Sequence, residues 1–487
     1  MDAQRPKSLY DDSAGDGDGL AGPTNTTGGD VGASVVLIGG KEVEKKTLAA
    51  AALAAAVVLA LAVVAAQPAG GRAADGGGGS TWSDADSCVA RGPTLPAPCT
   101  TCRQPAHDWT KVPIFFHGSD PNGTAGGGFT DVALATISRF PIVTLEKWQG
   151  SSLVPYTWQE DAWVVAARQI KARNPAITVL VWFDTVHIYE QDTTLDPDLK
   201  DREYKSAWET GCTSGNLHAS RFLDAHPEYL LMQDDGRKKA LDNMGCHIYN
   251  YGEPAAQCYW QRMCLELVAS GVIDGCGADA SQSSASSGWQ ISKPAEELWN
   301  RGHAKMLWEL LGRMGNGLLL GDADQSFSTW GHLPVNAAGV HLEHCRPNNN
   351  TINGLRDAAV SKPGAILECH WQPSDGEFND ALAAFLIGAG NSHYIGKGFW
   401  DDIPSLGGQA DFGDHWDVSF ERPLGAPGGD ATYVGGAAYG QWTRFFGSGT
   451  SRTVVTSTMG GHPNDMTRWV GAITTSNHPW FTGAGGG

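Results

Sequence analysis

Four short apolar segments in the second half of the chain each end in or near an acidic residue. They are GVIDGCGADAS (271–281), GLLLGDAD (317–324), GVHLEH (339–344) and GAILECHW (364–371). A buried parallel strand is a continuous apolar run, and the carboxyl ends of such strands form the active site of a (β/α)8 barrel. The repeat therefore constrains both the fold and the place where chemistry would occur.

Earlier segments supply the remaining strands of such a barrel. Residues 112–118, 140–150 and 177–185 predict strands 1 to 3, and we expect strand 4 within 226–232 and 246–251. The four acid-containing runs are then strands 5 to 8. Strands that alternate with helices favour a parallel sheet, and no G-x-G-x-x-G follows the first strand, so a dinucleotide-binding sheet is disfavoured. The prediction is an α/β fold, a (β/α)8 TIM barrel over 108–390 with a small C-terminal β-rich appendage over 391–480, preceded by a single transmembrane helix.

The N-terminal region predicts a membrane anchor. Residues 1–47 are polar and glycine-rich, as in a disordered cytosolic tail, and residues 48–66 are uncharged and long enough to span a bilayer. Lys45 and Lys46 precede this span, so a single-pass type II protein with a lumenal or extracellular domain is expected. The alternative is a secreted protein, because small residues at 65–69 resemble a signal cleavage site. A Gly/Pro/Ser-rich stalk (67–107) follows, and 481–487 form a flexible tail.

Composition restricts the partners and the compartment. The net charge of −19 disfavours nucleic acid as a partner, because phosphate binding needs basic patches. All ten cysteines follow residue 66, which fits an oxidising compartment, and the acceptor sequons at Asn122 and Asn349 lie on the same side. The CxxC of Cys99 and Cys102 stands alone and is weak evidence for redox or zinc chemistry.

Glycoside hydrolysis needs two carboxylates on either side of the scissile bond, and acids at different strand ends can supply them. Asp279 and Glu343 are the predicted catalytic pair, with Asp322 as substitute; a helix-capping or loop role stays open for Asp279 and Asp322. Glu343 lies between two histidines that could shift its pKa. Asp274, in an Asp-Gly turn, is interpreted as structural. Candidate substrate-binding residues are Glu146, Asp184, Trp148, His117, Glu368, His341 and Trp371.

Several of these assignments have alternatives. Buried salt bridges are an equally good interpretation of Glu146 and Asp184, and His117 could be a core histidine. Most of the 18 tryptophans are expected to pack in the core. No metal or cofactor is predicted, although His341, Glu343, Glu368 and His370 include ligand types that zinc accepts. His344 should point away from His341 and Glu343 in a strand. A serine nucleophile lacks its G-x-S-x-G motif.

Five segments together resemble a known family. They are FPIVTLEKWQG (140–150), ITVLVWFDT (177–185), DGCGADAS (274–281), ERPLGAP (421–427) and YGQWTRFFGSGT (439–450). Over 112–455 the chain resembles hypothetical glycosyl hydrolases with a TIM-barrel domain, which implies hydrolysis of a glycosidic bond and a carbohydrate partner. The resemblance implies that Asp279 is a candidate nucleophile or substrate anchor. The chain departs from it in the polar insertion at 192–215 and in its extra cysteines. A non-catalytic carbohydrate-binding ectodomain and a metal-dependent hydrolase of another bond remain alternatives.

Overall fold

The chain divides into two compact units, residues 1–81 and 82–487. The computed structural model describes residues 35–38, 41–44, 95–121, 123–124, 126–147, 149–150, 159–188, 227–234, 236, 240, 247–281, 285, 287–323, 339–398, 413–435, 440–448, 452–459 and 469–476. In the first unit, Val35–Ile38 and Lys41–Glu44 pair as an antiparallel hairpin. The predicted span 48–66 lies outside the described residues, and none of the helices that are described is both long and apolar enough to cross a bilayer.

A sheet of eight parallel strands forms the centre of the second unit, and its strands are paired in chain order. Its strands are β1 (Phe116–Gly118), β2 (Ile142–Leu145), β3 (Thr178–Asp184), β4 (Gly275–Asp279), β5 (Leu318–Asp322), β6 (Gly339–Leu342), β7 (Ile366–Trp371) and β8 (His393–Lys397). A parallel bridge between Ile114 and Ile395 joins the first strand to the last. There Phe115 N donates to Ile395 O over 3.1 Å, and Ile395 N donates to Pro113 O over 3.0 Å. The α/β barrel predicted from the sequence is therefore confirmed.

Helices connect the strands and cover the outside of the barrel. They are α1 (Asp131–Ile137), α2 (Gln159–Arg173), α3 (Pro254–Ala269), α4 (Lys293–Arg313), α5 (Asn349–Ser361) and α6 (Phe378–Gly388). Side-chain caps fix two of the starts: Thr130 accepts from Ala133 N, and Asn348 accepts from Thr351 N. Pro254 and Pro294 lie in the first turns of α3 and α4, where a proline loses no helical hydrogen bond.

The sequence-based assignment of strand 4 was wrong. The segments expected to hold strand 4 lie outside the barrel, where His247–Ile248 pairs with His187–Ile188 and Leu230 bridges to Tyr249. Leu230 and Tyr249 are buried in the core around the barrel, so apolar character alone does not identify a barrel strand. Strand β3 instead pairs directly with β4, and each run predicted as strands 5 to 8 is one place earlier in the barrel.

The last barrel strand, β8, lies after residue 390, where the barrel was expected to end. Its sequence HYIGK carries a histidine and a lysine, which conceals it from an apolar pattern. Both polar side chains have partners: His393 Nδ1 accepts from Gly390 N over 3.1 Å, and Lys397 Nζ lies 3.1 Å from Asp417 Oδ2.

The C-terminal region forms the predicted β-rich appendage. It is an antiparallel sheet of β9 (Thr432–Gly435), β10 (Gly440–Phe446), β11 (Arg452–Met459) and β12 (Trp469–Ser476). The buried guanidinium of Arg444 on β10 donates to Leu386 O at the end of α6 over 3.0 Å. A cation at a helix C-terminus satisfies carbonyls that have no partner within the helix, so Arg444 attaches the sheet to the barrel.

Every cysteine that the structure describes is in a disulfide. Cys264 and Cys276 join α3 to β4, and Cys345 and Cys369 join the end of β6 to β7. Cys99 and Cys102 form a third bond, so the CxxC is a disulfide here and not a thiolate metal site.

Apolar side chains fill the lower part of the barrel interior. They are Phe115, Ile142, Leu180, Trp182, Leu318, Leu320, Ile366 and Tyr394. Trp182 on β3 lies across Gly277 on the neighbouring β4, and a Cβ at Gly277 would come within 1.7 Å of Trp182 Cε3. The indole therefore needs a residue without a side chain at this position.

We expect Gly277→Ala to destabilise the protein by about 3 kcal/mol, because the added methyl group must displace a packed indole. Gly312→Ala in α4 is the matched control, since a Cβ there has no neighbour within 4 Å. In that helix the same change should be neutral or stabilise by about 0.5–1 kcal/mol. Urea unfolding followed by tryptophan fluorescence measures both; an unchanged midpoint for Gly277→Ala would contradict the packing described here.

Candidate active site

The carboxyl ends of the strands bring several acids to one rim of the barrel. Asp279 and Asp322 are the last residues of β4 and β5, and Glu343 directly follows β6. One carboxylate oxygen from each of the three lies within 4.8 Å of the others. The three residues predicted to be catalytic are therefore close together in the structure.

The three acids differ in the exposed fraction of their side chains. Asp279 and Glu343 are half-buried, whereas Asp322 is only 2% exposed. A carboxylate that acts on a large substrate must be reachable from solvent. Asp279 and Glu343 meet this condition, and Asp322 does not.

Lys147, which the sequence analysis did not single out, is the cation of this site. Its Nζ contacts Asp279 Oδ2 and lies 3.0 Å from Glu146 Oε1, and the residue is buried. Burial raises the pKa of Asp279, and Asp184 and Glu146 add to this effect while Lys147 opposes it. The signal for Lys147 was its place directly after Glu146 at the end of a strand.

Asp322 fixes the backbone that follows Asp279. Its Oδ2 accepts from Ala280 N over 3.3 Å, and its own N–H donates to Ser281 Oγ over 2.7 Å. Ala280 has a φ of 54°, a left-handed conformation that costs a residue with a side chain about 1 kcal/mol or more. These contacts hold the strained turn after Asp279, so the geometry gives Asp322 a positioning role.

Asp184 at the end of β3 uses both oxygens within its own turn. Oδ1 accepts from Val186 N and His187 N over 2.6 and 2.8 Å, and Oδ2 lies 2.8 Å from His187 Nδ1. Burial alone would raise the pKa of this carboxyl, but the charge and hydrogen bonds of His187, together with Lys147, lower it to about 2. Of the two interpretations, the buried salt bridge is the one that the structure contains.

Below the acids lies a second polar layer of the barrel interior. Glu146 Oε2 is 2.6 Å from His117 Nε2, and Glu368 Oε2 is 3.0 Å from His341 Nδ1. All four residues are buried. Burial raises the pKa of Glu146, against the opposing effect of Lys147. His117, Glu146, His341 and Glu368 were predicted to bind substrate, but their burial places them beneath the rim.

Other predicted site residues lie elsewhere. Trp371 faces α6: its ring centroid is 5.2 Å from that of Phe378, and Nε1 donates to Gly376 O over 3.2 Å. Along β7, Glu368 and His370 lie on the face that points into the barrel, and Trp371 lies on the opposite face. Trp371 therefore has a packing role instead of the sugar contact predicted from the sequence. Trp148 lies outside the described residues. Asp274, interpreted as structural, accepts from Val179 N at the opposite end of the barrel, over 2.8 Å.

His344 lies away from the acid cluster, as the strand periodicity predicts. Its Nδ1 is 2.8 Å from Asp375 Oδ1, in the segment after β7. The candidate zinc ligands considered from the sequence therefore do not converge as one group, because Glu368 contacts His341 and His344 contacts Asp375.

Chemically, the rim offers two reachable carboxylates, a buried ammonium and a rigid turn. Two carboxylates close together on separate strand ends are the arrangement that glycosidic bond hydrolysis requires. An ammonium in contact with one carboxylate favours its ionised form and thereby distinguishes it from the other.

The chain is distantly similar to several solved structures. The glycoside hydrolase domain of PelA from Pseudomonas aeruginosa is 16% identical; the match covers 58% of this chain and 92% of that one, with a TM-score of 0.35. Ega3 from Aspergillus fumigatus, solved with galactosamine, is 12% identical over 61% of this chain and 94% of its own, with a TM-score of 0.33. The α-galactosidase AgaB from Geobacillus stearothermophilus is 10% identical, covering 75% of this chain but 50% of its own, with a TM-score of 0.39.

No curated protein matches the chain in sequence. A family model does match, over residues 171–450, and this match begins at the end of α2 and ends just after β10. It includes Asp279, Asp322 and Glu343 and spans more than half of the chain. The chain belongs to Hypothetical glycosyl hydrolase family 15.

Proposed function

We propose that this protein hydrolyses glycosidic bonds of a glycan outside the cytosol through Asp279 and Glu343. The observation that carries the proposal is the approach of these two half-buried carboxylates to within 4.8 Å at the rim of the barrel. Family membership supports glycosidase activity in general. The disulfides support a location outside the cytosol, in a type II membrane protein or a secreted one.

The separation of the carboxylates favours a retaining mechanism. Retaining enzymes have carboxyl groups about 5–5.5 Å apart, whereas inverting enzymes need about 6.5–9.5 Å to admit a water molecule between carboxylate and sugar. Oxygens within 4.8 Å of each other fit the shorter distance.

Lys147 decides which carboxylate takes which role. Its ammonium contacts Asp279 and opposes the effect of burial on the pKa of that carboxyl, and we assign to Asp279, in its ionised form, the attack on the anomeric carbon. Glu343 donates its proton to the glycosidic oxygen, which leaves with the released sugar. Glu343 then removes a proton from water, which displaces Asp279 from the glycosyl ester and regenerates both carboxyl groups.

Asp322 and Ser281 keep this arrangement in place. A carboxylate nucleophile must be held close to its productive position, and small displacements cost large factors in rate. The hydrogen bonds from Thr185 N and Oγ1 to Asp279 O, of 3.0 and 2.7 Å, fix the backbone on the other side of the nucleophile. The nucleophile is thus held from β3 and from β5.

We expect Asp279→Asn and Glu343→Gln each to reduce glycan hydrolysis by about 10³-fold or more, because each removes a reacting group and little volume. The full chain is screened against labelled oligosaccharides, and the active substrate is used for the variants. Glu297→Gln, on the exposed side of α4, is the control and should keep full activity.

Thermal melting of the three variants should stay close to that of the wild type. Wild-type turnover in both Asp279→Asn and Glu343→Gln would eliminate this site. Glycan binding without turnover in the wild type would favour the non-catalytic carbohydrate-binding alternative.

The products should keep the anomeric configuration of the substrate. Proton NMR recorded during the first minutes of hydrolysis distinguishes the two anomers before mutarotation. A 2-deoxy-2-fluoro substrate should leave a glycosyl ester on Asp279, which peptide mass spectrometry locates. Inverted product, or a label on Glu343, would contradict the roles assigned here.

Replacement of Lys147 should move the acidic limit of activity to higher pH. Asp279 attacks only when ionised, so activity falls as pH decreases through its pKa, which Lys147 lowers against the effects of burial, Asp184 and Glu146. In Lys147→Met that opposing effect is lost, so the acidic limb of kcat/KM against pH shifts upward. Lys147→Arg keeps the charge and should show a smaller shift, and an unmoved limb in Lys147→Met would show that the cation does not control the nucleophile.

A further inference from the structure

Three buried histidines converge inside the barrel, beneath the carboxylates of the rim. His117 lies on β1, His341 on β6 and His370 on β7, and the three are at most 2% exposed. One ring nitrogen of each lies within 4.8 Å of the other two. The ring centroid of His117 is 4.6 Å from that of His341 and 5.4 Å from that of His370.

Two of these imidazoles are oriented by carboxylates. Glu146 occupies Nε2 of His117 at 2.6 Å, and Glu368 occupies Nδ1 of His341 at 3.0 Å. Thr144 Oγ1 donates to the other oxygen of Glu368 over 3.2 Å, so this carboxylate is held as well. A carboxylate accepts a hydrogen bond from the ring N–H that it contacts, and the remaining nitrogen of a neutral imidazole then carries a lone pair.

Those remaining nitrogens, His117 Nδ1 and His341 Nε2, are buried and have no hydrogen-bond partner among the described residues. A buried polar atom left in this state costs about 1–3 kcal/mol. Two such atoms, on neighbouring rings that are each held by a carboxylate, are what a metal site without its ion contains.

Burial lowers the pKa of two of the three histidines, His117 and His370. Burial holds the pKa of His117 well below its usual value, with further contributions from His341, Lys147 and His415. Burial, His117 and His341 act on the pKa of His370 in the same direction.

We propose that His117, His341 and His370 bind a divalent transition-metal ion, with zinc as the first candidate. Three imidazole nitrogens suit zinc and its neighbours in the first transition row, and not the oxygen-seeking magnesium or calcium. Trp182 and Phe115 enclose the rings, with centroids 4.8 and 5.7 Å from that of His341. This apolar enclosure keeps bulk water from competing with the ligands.

The proposed ion is distinct from the proposed hydrolytic pair and does not depend on it. It would join β1 to β6 and β7 across the barrel interior. Through His117 it would also fix Glu146, which shares Lys147 with Asp279. The expected contribution is therefore to stability and to the alignment of the rim.

Metal analysis of the full chain tests the proposal. The protein is prepared without a histidine tag, and metals are quantified by inductively coupled plasma mass spectrometry. We expect about one zinc ion per chain, with X-ray absorption showing nitrogen or oxygen neighbours at about 2.0–2.1 Å and no sulfur at about 2.3 Å. Chelation with dipicolinate should lower the melting temperature, and added zinc should restore it.

Single-residue variants test whether the zinc is bound by these three histidines or elsewhere in the chain. His341→Gln and His370→Gln should reduce zinc to trace levels, whereas His344→Gln, whose side chain bonds Asp375, should retain it. Asp279→Asn, which alters the acid cluster, should also retain it. Should the histidine variants fold poorly, Glu368→Gln keeps all three rings and should weaken zinc binding about 10–100-fold.

The proposal is overturned if the wild-type chain contains no transition metal and if added zinc leaves its melting temperature unchanged. It is also overturned by a folded His341→Gln variant with the metal content of the wild type. Sulfur scattering would point to a site on cysteines and would likewise reject the histidine assignment.

Discussion

The ammonium of Lys147, shared between Glu146 and Asp279, is the interaction on which the rest of the rim depends. A charge in the low-dielectric interior is tolerated only when it is paired and hydrogen-bonded, because its lost hydration costs several kcal/mol. Lys147 and Glu146 are buried, and Asp279 is exposed on one side only. Each of the three therefore requires the other two, and this requirement fixes the side chain of Asp279 in one position without any contact from a ligand.

Glu146 links this ion cluster to the layer below. One of its oxygens faces Lys147 and the other faces His117, so a displacement of either partner is transmitted to the other. The same burial has opposite effects on the two kinds of group: it raises the pKa of Asp279 and lowers that of His117. Burial thus acts on the imidazole of His117 beneath the rim, while the ammonium of Lys147 opposes the effect of burial on the pKa of Asp279 above it.

Sequence reasoning was most successful where one physical rule determines the outcome. Acids at the carboxyl ends of parallel strands must share a rim, and Asp279, Asp322 and Glu343 do. The sequence-based strand predictions were wrong where a segment can be buried for more than one reason. The apolar segments around Leu230 and Tyr249 pack outside the barrel, and HYIGK enters the barrel despite its polar residues. Lys147 was missed because a lysine after a strand is normally solvated, and its two acidic neighbours in space account for its burial.

Closure of the barrel is what turns these strands into a site. In the sheet order, β1 and β8 are the terminal strands, and backbone bonds from Phe115 N to Ile395 O and from Ile395 N to Pro113 O close the barrel between them. In an open sheet β1 and β7 would lie near opposite edges. In the closed barrel the rings of His117 and His370 are stacked 5.4 Å apart, although 253 positions separate them in the chain. The meeting of the three histidines therefore follows from the topology. Strand-end patterns mark His341 and His370 as ligand types that zinc accepts, but no short pattern in the sequence places His117 beside them.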